Sequence, residues 1–159
     1  MKGIFVFGYA ASGKNYIVDK LKNKCDLVID VGSVVRDICS REERVWSNDI
    51  DEELYKECKW MISSYDNDGE DCYNKRVIVL GLRSVELAEK MLDLFNDKDI
   101  FVIESSYNER KERFDNSDRA KDKGLTYQEV LENDRKIGLG DLMYNIYNRK
   151  YGSYFVWHN

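Results

Sequence analysis

The amino-acid sequence predicts an α/β domain built on a parallel sheet of about five strands with helices on both faces. Three observations predict it. Five short apolar runs, at 4–7, 27–29, 77–80, 100–103 and 154–157, have the length and continuity of strands buried on both faces. Between them lie stretches whose apolar residues recur at helical spacing. A glycine-rich turn joins the first run to the first helix. Strands alternating with helices need right-handed crossovers, which set the strands parallel and cover the sheet on both sides.

Taken in order, Ile4 to Phe7 is the first strand and Gly8 to Asn15 the turn after it. Ile17, Val18 and Leu21 make the inner face of the first helix, and Leu27 to Ile29 is the second strand. Residues 41 to 75 break the alternation with a charged helix over roughly Asp51 to Ser64 and the turn-rich Asp66 to Asp71, an insertion before the third strand. Val77 to Leu80 is that strand, and Val85, Leu87, Ala88, Met91, Leu92 and Phe95 line the next helix. After the fourth strand, Ile100 to Ile103, residues 115 to 124 are polar and charged without apolar period, a candidate mobile lid. Thr126 and Glu129 have the spacing of a capping box that starts a helix through Val130 and Leu131, and Tyr154 to Trp157 is the last strand. With 43% hydrophobic residues, 159 residues supply one core and are too few for two, so 1–159 read as a single domain.

Composition sets aside several function classes. Lys and Arg total 25 against 30 Asp and Glu, and a net charge of -5 gives no global basic field, which disfavours a nucleic-acid partner while leaving room for a local basic patch. The four cysteines, Cys25, Cys39, Cys58 and Cys72, form no CxxC pair and His158 is the single histidine, so neither a disulfide scaffold nor a zinc site is indicated. No apolar run approaches the ~20 residues that cross a bilayer. Met1 leads straight into a strand, and the expectation is a soluble, cytoplasmic protein with reduced thiols and no membrane partner.

The chemistry concentrates in Gly8-Tyr9-Ala10-Ala11-Ser12-Gly13-Lys14, which follows a strand and opens a helix, the context a Walker A loop requires. Glycines let the backbone wrap phosphate, the helix N-terminus offers free N–H groups, and the lysine neutralises the β and γ phosphates of ATP or a similar nucleotide. The phosphate-binding residues are Gly8, Ala11, Ser12, Gly13, Lys14 and Asn15. Asn15 stands where a Ser or Thr hydroxyl usually ligates Mg²⁺, leaving its carbonyl oxygen as the metal ligand on offer.

With this loop, the chain resembles the nucleoside monophosphate kinase group of P-loop proteins, and within it the dephospho-CoA kinase and small archaeal adenylate-kinase-like branches. The order of segments is similar along nearly the whole chain: phosphate loop (8–15), acceptor-binding insertion (about 36–75), a strand ending in a Gly-x-Arg turn, an arginine-rich lid (about 113–124), and a helix with an Asp-Arg pair. The resemblance implies a three-layer P-loop kinase fold, ATP as phosphoryl donor with Mg²⁺, and Lys14 as a catalytic residue. The segment Ile29-Asp30-Val31-Gly32-Ser33-Val34-Val35-Arg36 looks like the acceptor-holding segment of these families. Asp30 then orients or deprotonates the acceptor, or holds Mg²⁺ through water, and Arg36 binds an acceptor phosphate. Read without the resemblance, Asp30 caps the next helix and Arg36 sits in solvent.

Leu80-Gly81-Leu82-Arg83-Ser84 is similar to the Asp-Gly-x-Arg turn of the archaeal branch. The resemblance makes Arg83 and Gly81 acceptor-binding residues, with Leu80 in place of the Walker B aspartate. Arg110-Lys111-Glu112-Arg113-Phe114, with Arg119, Lys121 and Lys123, resembles the lid, so that Arg113 and Arg119 are implied to neutralise the transferred phosphoryl group. The interleaved Glu109, Glu112, Asp115, Asp118 and Asp122 are also the pattern of a solvated helix and loop. Asn133-Asp134-Arg135 falls at the family's Arg-Asp pair with Asn133 replacing arginine. Trp46, Tyr65, Tyr73, Tyr107, Tyr127 and Tyr144 read as core or rim packing rather than a base pocket.

The implied function is ATP-dependent phosphoryl transfer to a small phosphorylated acceptor, first a nucleoside or deoxynucleoside monophosphate. Dephospho-CoA, or a modified base in DNA, is the alternative acceptor, and GTP remains open as donor. The rival class is a nucleotide-binding regulatory or assembly module without catalysis, supported by the departures at Asn15 and Leu80. No feature fixes an oligomeric state.

Overall fold

A computed structural model describes residues 1–42, 47–67, 72, 74–118 and 124–159. In chain order the elements are β1 (Lys2–Phe7), α1 (Lys14–Leu21), β2 (Leu27–Asp30), α2 (Val31–Glu42), a 3₁₀ turn (Asn48–Ile50), α3 (Asp51–Asn67), β3 (Arg76–Leu80), α4 (Val85–Leu92), β4 (Asp97–Glu104), α5 (Tyr107–Asp115), α6 (Tyr127–Ile137), α7 (Leu139–Tyr147) and β5 (Phe155–His158). The five strands form one parallel sheet in the order β2-β3-β1-β4-β5. β1 is central, and strand order reverses on either side of it. The C-terminal ends of β1 and β3 therefore open the crevice where open α/β sheets bind ligands.

Alternation along the strands divides the core. Phe5, Phe7, Val77, Val79, Ile100 and Val102 face α2, α3, α4 and α7, while Ile4, Val6, Ile78, Leu80 and Ile103 pack against Ile17 and Val18 of α1. A third cluster, Ala10, Phe114, Tyr127 and Val130, seats α5 and α6 on the phosphate loop. Side chains cap the starts of α4, α5 and α6. Ser84 accepts from Leu87 N before α4, Ser106 makes a full capping box with Glu109 before α5, and Thr126 accepts from Glu129 N before α6.

Several expectations change. β5 exists, but Phe155, Val156, Trp157 and His158 are all exposed. It is an edge strand, and an apolar run alone does not distinguish an edge from a buried position. Leu21 is exposed, because α1 buries only Ile17 and Val18. Phe95 is buried beyond the end of α4. Asp66 and Asn67 continue α3 rather than form a turn; 68–71 lie outside the described residues.

The thiols are the largest correction. Cys25 and Cys72 form a disulfide with Cα atoms 5.9 Å apart, while Cys39 and Cys58 keep their thiols. The two half-cystines precede β2 and β3, parallel neighbours whose pairing brings their entries together, a juxtaposition that spacing in sequence does not show. Beside the bridge, Arg76 donates from Nε to Asp26 Oδ1 at 3.0 Å and from Nη2 to Oδ2 at 2.6 Å. Burial acts to raise the Asp26 pKa, but the Arg76 hydrogen bonds and charge and the Asn23 amide outweigh it and hold the carboxyl below its usual range. Among the described residues, no helix is long and apolar enough to cross a membrane.

Candidate active site

The phosphate loop runs from the end of β1 into α1. Gly13 caps α1 at φ 97 and Ala11 sits at φ 61, both left-handed, and backbone of mixed hand of this kind makes an anion-binding concavity of successive N–H groups. Every carbonyl from Gly8 to Ser12 accepts a side-chain hydrogen bond. Lys14 Nζ donates to Gly8 O at 2.9 Å and Tyr9 O at 2.8 Å. The buried Tyr127 hydroxyl donates to Ala10 O at 2.9 Å. Arg113 Nη1 donates to Ala11 O at 3.1 Å and Ser12 O at 3.3 Å, and Asn159 Nδ2 donates to Ser12 O at 3.0 Å. The loop's carbonyls are thus all tied back, and within the loop Ser12 N–H donates to Tyr9 O at 3.2 Å.

In front of the loop lies a cleft of about 510 Å³ lined by Ala10, Ala11, Gly13, Lys14, Asn15, Tyr16, Asp30, Gly32, Arg36, Leu80, Gly81 and Arg83. Phosphate-loop residues and the residues expected to bind an acceptor thus share one cavity. Asp30, at the end of β2, accepts from Ser33 N at 3.4 Å and Ser33 Oγ at 3.1 Å, so it does cap α2, and Asn15 Nδ2 donates to it at 3.4 Å. Arg36 lies one turn along α2, exposed, and donates to Ser33 Oγ at 2.9 Å. Capping and a place in the cleft therefore coexist in Asp30.

The turn after β3 presses on the start of α2. Gly81 holds φ 85, and a Cβ there would stand 3.0 Å from Gly32 N and 3.2 Å from Asp30 Oδ1, which only glycine avoids. Arg83 Nη1 pairs with Asp134 Oδ1 of α6 at 3.1 Å. Ser84 Oγ donates to Asp51 Oδ2 at 2.5 Å, and burial raises the Asp51 pKa although the Ser84 hydrogen bond opposes the shift.

Not every expected residue reaches the cleft. Arg113 does not line it; α5 carries this side chain against the outside of the phosphate loop. Gly8 and Ser12 are buried behind the cavity. Arg119, Lys121, Asp122, Lys123, Trp46 and Tyr73 lie outside the described residues. Sequence reasoning missed Asp51 and Asn159, which carry no motif, and gave Tyr127 a packing role only; its position at the start of the capped α6 was the available signal.

A family model described as an AAA domain matches residues 4–136. No curated protein matches the chain. Among solved structures, an unliganded sugar kinase from Janibacter sp. HTCC2649 superposes with a TM-score of 0.62 at 11% identity, covering 99% of this chain and 85% of its own. A gluconokinase from Sinorhizobium meliloti 1021 superposes with a TM-score of 0.53 at 14% identity, covering 92% and 96%. At such identities the likeness concerns the fold, and that fold is the kinase-like P-loop arrangement. With the match spanning most of its length, the chain belongs to the AAA domain family of P-loop nucleotide-binding proteins.

Proposed function

We propose that this protein is an ATP-dependent phosphotransferase acting on a small phosphorylated acceptor, first a nucleoside or deoxynucleoside monophosphate, as in the nucleoside monophosphate kinase branches it resembles. One observation carries this reading: the phosphate loop shares its cleft with Asp30, Arg36, Gly81 and Arg83, a second set of ligand-type groups that a site for nucleotide alone has no use for.

On this reading Lys14 leaves the carbonyls of Gly8 and Tyr9 for the β and γ phosphates, and the loop amides hold the donor. Arg36 and Arg83 grip the acceptor phosphate. An acceptor oxygen bonds to the γ phosphorus as the bond to the bridging oxygen breaks, leaving ADP. A phosphate oxygen is already anionic at neutral pH and attacks without a base. A hydroxyl would instead have to give its proton to Asp30. Arg113 stiffens the loop from behind.

Nucleotide-borne Mg²⁺ keeps several waters and takes one or two protein oxygens. Asn15 and Asp30 already meet at 3.4 Å beside the loop, so the residues fit: the Asp30 carboxylate and, with its amide turned, Asn15 Oδ1 would hold the ion. The ion supplies neutralising charge on the donor phosphates. The second reading, a nucleotide-binding module without turnover, is favoured by one observation: Leu80, not an acid, lines the cleft at the end of β3.

The test is an ADP-release assay with Mg-ATP against ribo- and deoxynucleoside monophosphates, dephospho-CoA and gluconate, beside ATP calorimetry. Turnover with a nucleoside monophosphate is expected. ATP binding with no turnover on any acceptor moves the protein to the module class, and turnover on gluconate alone moves the acceptor to a hydroxyl compound.

A further inference from the structure

A second cavity, of about 590 Å³, lies at the C-terminal ends of β4 and β5 beside the start of α5. Its volume falls within the range of small-molecule sites. Among the described residues it shares no lining residue with the cleft: Tyr9 of the phosphate loop lines the one and Ala10 the other. Arg110 lines this second cavity with an unsatisfied charge. Its guanidinium carbon lies 4.8 Å from the ring centroid of Tyr9, 5.9 Å from that of Tyr127 and 6.0 Å from that of Tyr107, while Nε and Nη1, both buried, make no hydrogen bond among the described residues. Ring faces attract a guanidinium, but they leave these two N–H donors without an acceptor, and buried donors are otherwise almost always paired. The carboxylates of the same cavity are already engaged. Glu104 Oε1 accepts from the Tyr147 hydroxyl at 2.7 Å and its Oε2 lies 3.4 Å from His158 Nδ1, while Glu109 Oε2 accepts from Ser106 N at 3.2 Å in the capping box. An ionised carboxylate has about four lone-pair sites, so Glu104 keeps acceptor capacity beyond these contacts. Two carboxylates to one guanidinium make the cavity acidic, which turns away a phosphate.

We propose that this cavity is a second binding site, for an uncharged planar base of the guanine type. Guanine presents two adjacent acceptors, O6 and N7, on one edge, the pair that an arginine fork meets in two places, and two adjacent donors, N1–H and N2–H, on the next. Arg110 takes the acceptor edge, Glu104 takes the donor edge, and the base stacks on Tyr9, with Ile103 and Met143 as apolar walls. A turn about the end of the Arg110 side chain brings Nε and Nη1 from the tyrosine rings to the ligand. Adenine has no such pair of adjacent donors, and a pyrimidine leaves the fork without N7. The site binds and makes or breaks no bond. It does not depend on the phosphotransferase reading, since nothing in it touches the cleft.

The probe is guanosine, which has no phosphate for the loop to hold, titrated into the full chain by calorimetry, first alone and then with saturating Mg-AMP-PNP. Guanosine is expected to bind in both, and inosine, which lacks the N2 amino group, about 10-fold more weakly, with adenosine weaker still. Glu104→Gln keeps the shape and an acceptor for Tyr147, and should lose about 10-fold or more in guanosine affinity while AMP-PNP affinity stays within about twofold, a split that a general loss of structure would not give. Arg110→Lys keeps the charge without the fork and should weaken guanosine by a similar factor. No guanosine binding, or equal affinity for guanosine and adenosine, overturns the proposal. Competitive displacement by AMP-PNP overturns it too, because it puts guanosine in the cleft, and so does parental guanosine affinity in either variant. Should the variants fail to fold, the parent decides: a guanosine preference over inosine of about 10-fold supports the donor-edge contact, and a ratio of about 1 overturns it. If AMP-PNP itself does not bind, the phosphate-loop assignment fails, and guanosine binding alone decides this site.

Discussion

On the phosphate-loop wall of the cleft, the carbonyls of Gly8 to Ser12 are held back and two left-handed residues bend the chain, so the shape of this wall is made of backbone. On the opposite wall, around the turn after β3, the shape comes from side chains that meet across the fold: Asp134 on Arg83, Asp51 on Ser84, and Gly81 against the first residues of α2. The first wall is encoded within eight consecutive residues, with three outside braces. The second exists only when α2, α3, α6 and the β3 turn are all in place. Substitutions in the loop should therefore change nucleotide affinity with little effect on the fold, whereas substitutions around the turn should change stability and acceptor binding together.

The largest expected effect sharpens the phosphate-loop half of this contrast. Lys14→Ala removes charge-assisted hydrogen bonds to phosphate, and ATP affinity should fall by about 2–3 kcal/mol, roughly 30- to 150-fold, with the melting temperature nearly unchanged. Calorimetry and a thermal melt read both. A parental ATP affinity would break the assignment of the loop.

An intermediate effect is expected on the wall formed by the turn after β3. Gly81→Ala forces a left-handed φ on an alanine and drives its Cβ toward Gly32 N and Asp30 Oδ1, and about 1–3 kcal/mol of stability should be lost in denaturant unfolding. ATP affinity should survive in the fraction that folds. Loss of ATP affinity instead would show that the two walls are not separable.

The smallest effect tests the buried carboxylate at the base of the turn. Because burial raises the Asp51 pKa, the folded state binds a proton more readily than the unfolded chain, and this contribution to stability is present at acid pH and fades as pH rises through the folded pKa. Asp51→Asn keeps an acceptor for Ser84 without the charge. The difference in stability between variant and parent should therefore grow in the variant's favour as pH rises from the ordinary carboxylate pKa through the raised folded one, and level off above it. A pH-independent difference in urea unfolding would mean that Asp51 is ionised at no penalty.

The same division explains what was legible in the sequence. The alternation of strands and helices, the loop from Gly8 to Asn15 and the Gly81-Leu82-Arg83 turn are local patterns, and each falls where its spacing places it. What was not legible depends on which elements become neighbours. The apolar run Tyr154 to Trp157 read as a buried strand, because nothing within a run reveals that no strand follows on its far side among the described residues. Arg113 read as a lid residue from its position after β4, but the face of α5 that carries it turns toward the back of the loop. Asp134 looked like half of a displaced motif, and its partner lies on another element altogether.

The Cys25–Cys72 bridge bears on the two walls unequally. It makes a covalent ring of the chain between them, and that ring contains Asp30, Arg36 and Asp51, while the phosphate loop lies outside it. A single backbone cut within the ring leaves one molecule on a non-reducing gel and two fragments once thiol is added. A protease that nicks the chain between Cys25 and Cys72 thus leaves its pieces tethered, whereas a nick in the phosphate loop releases the N-terminal strand from every covalent hold.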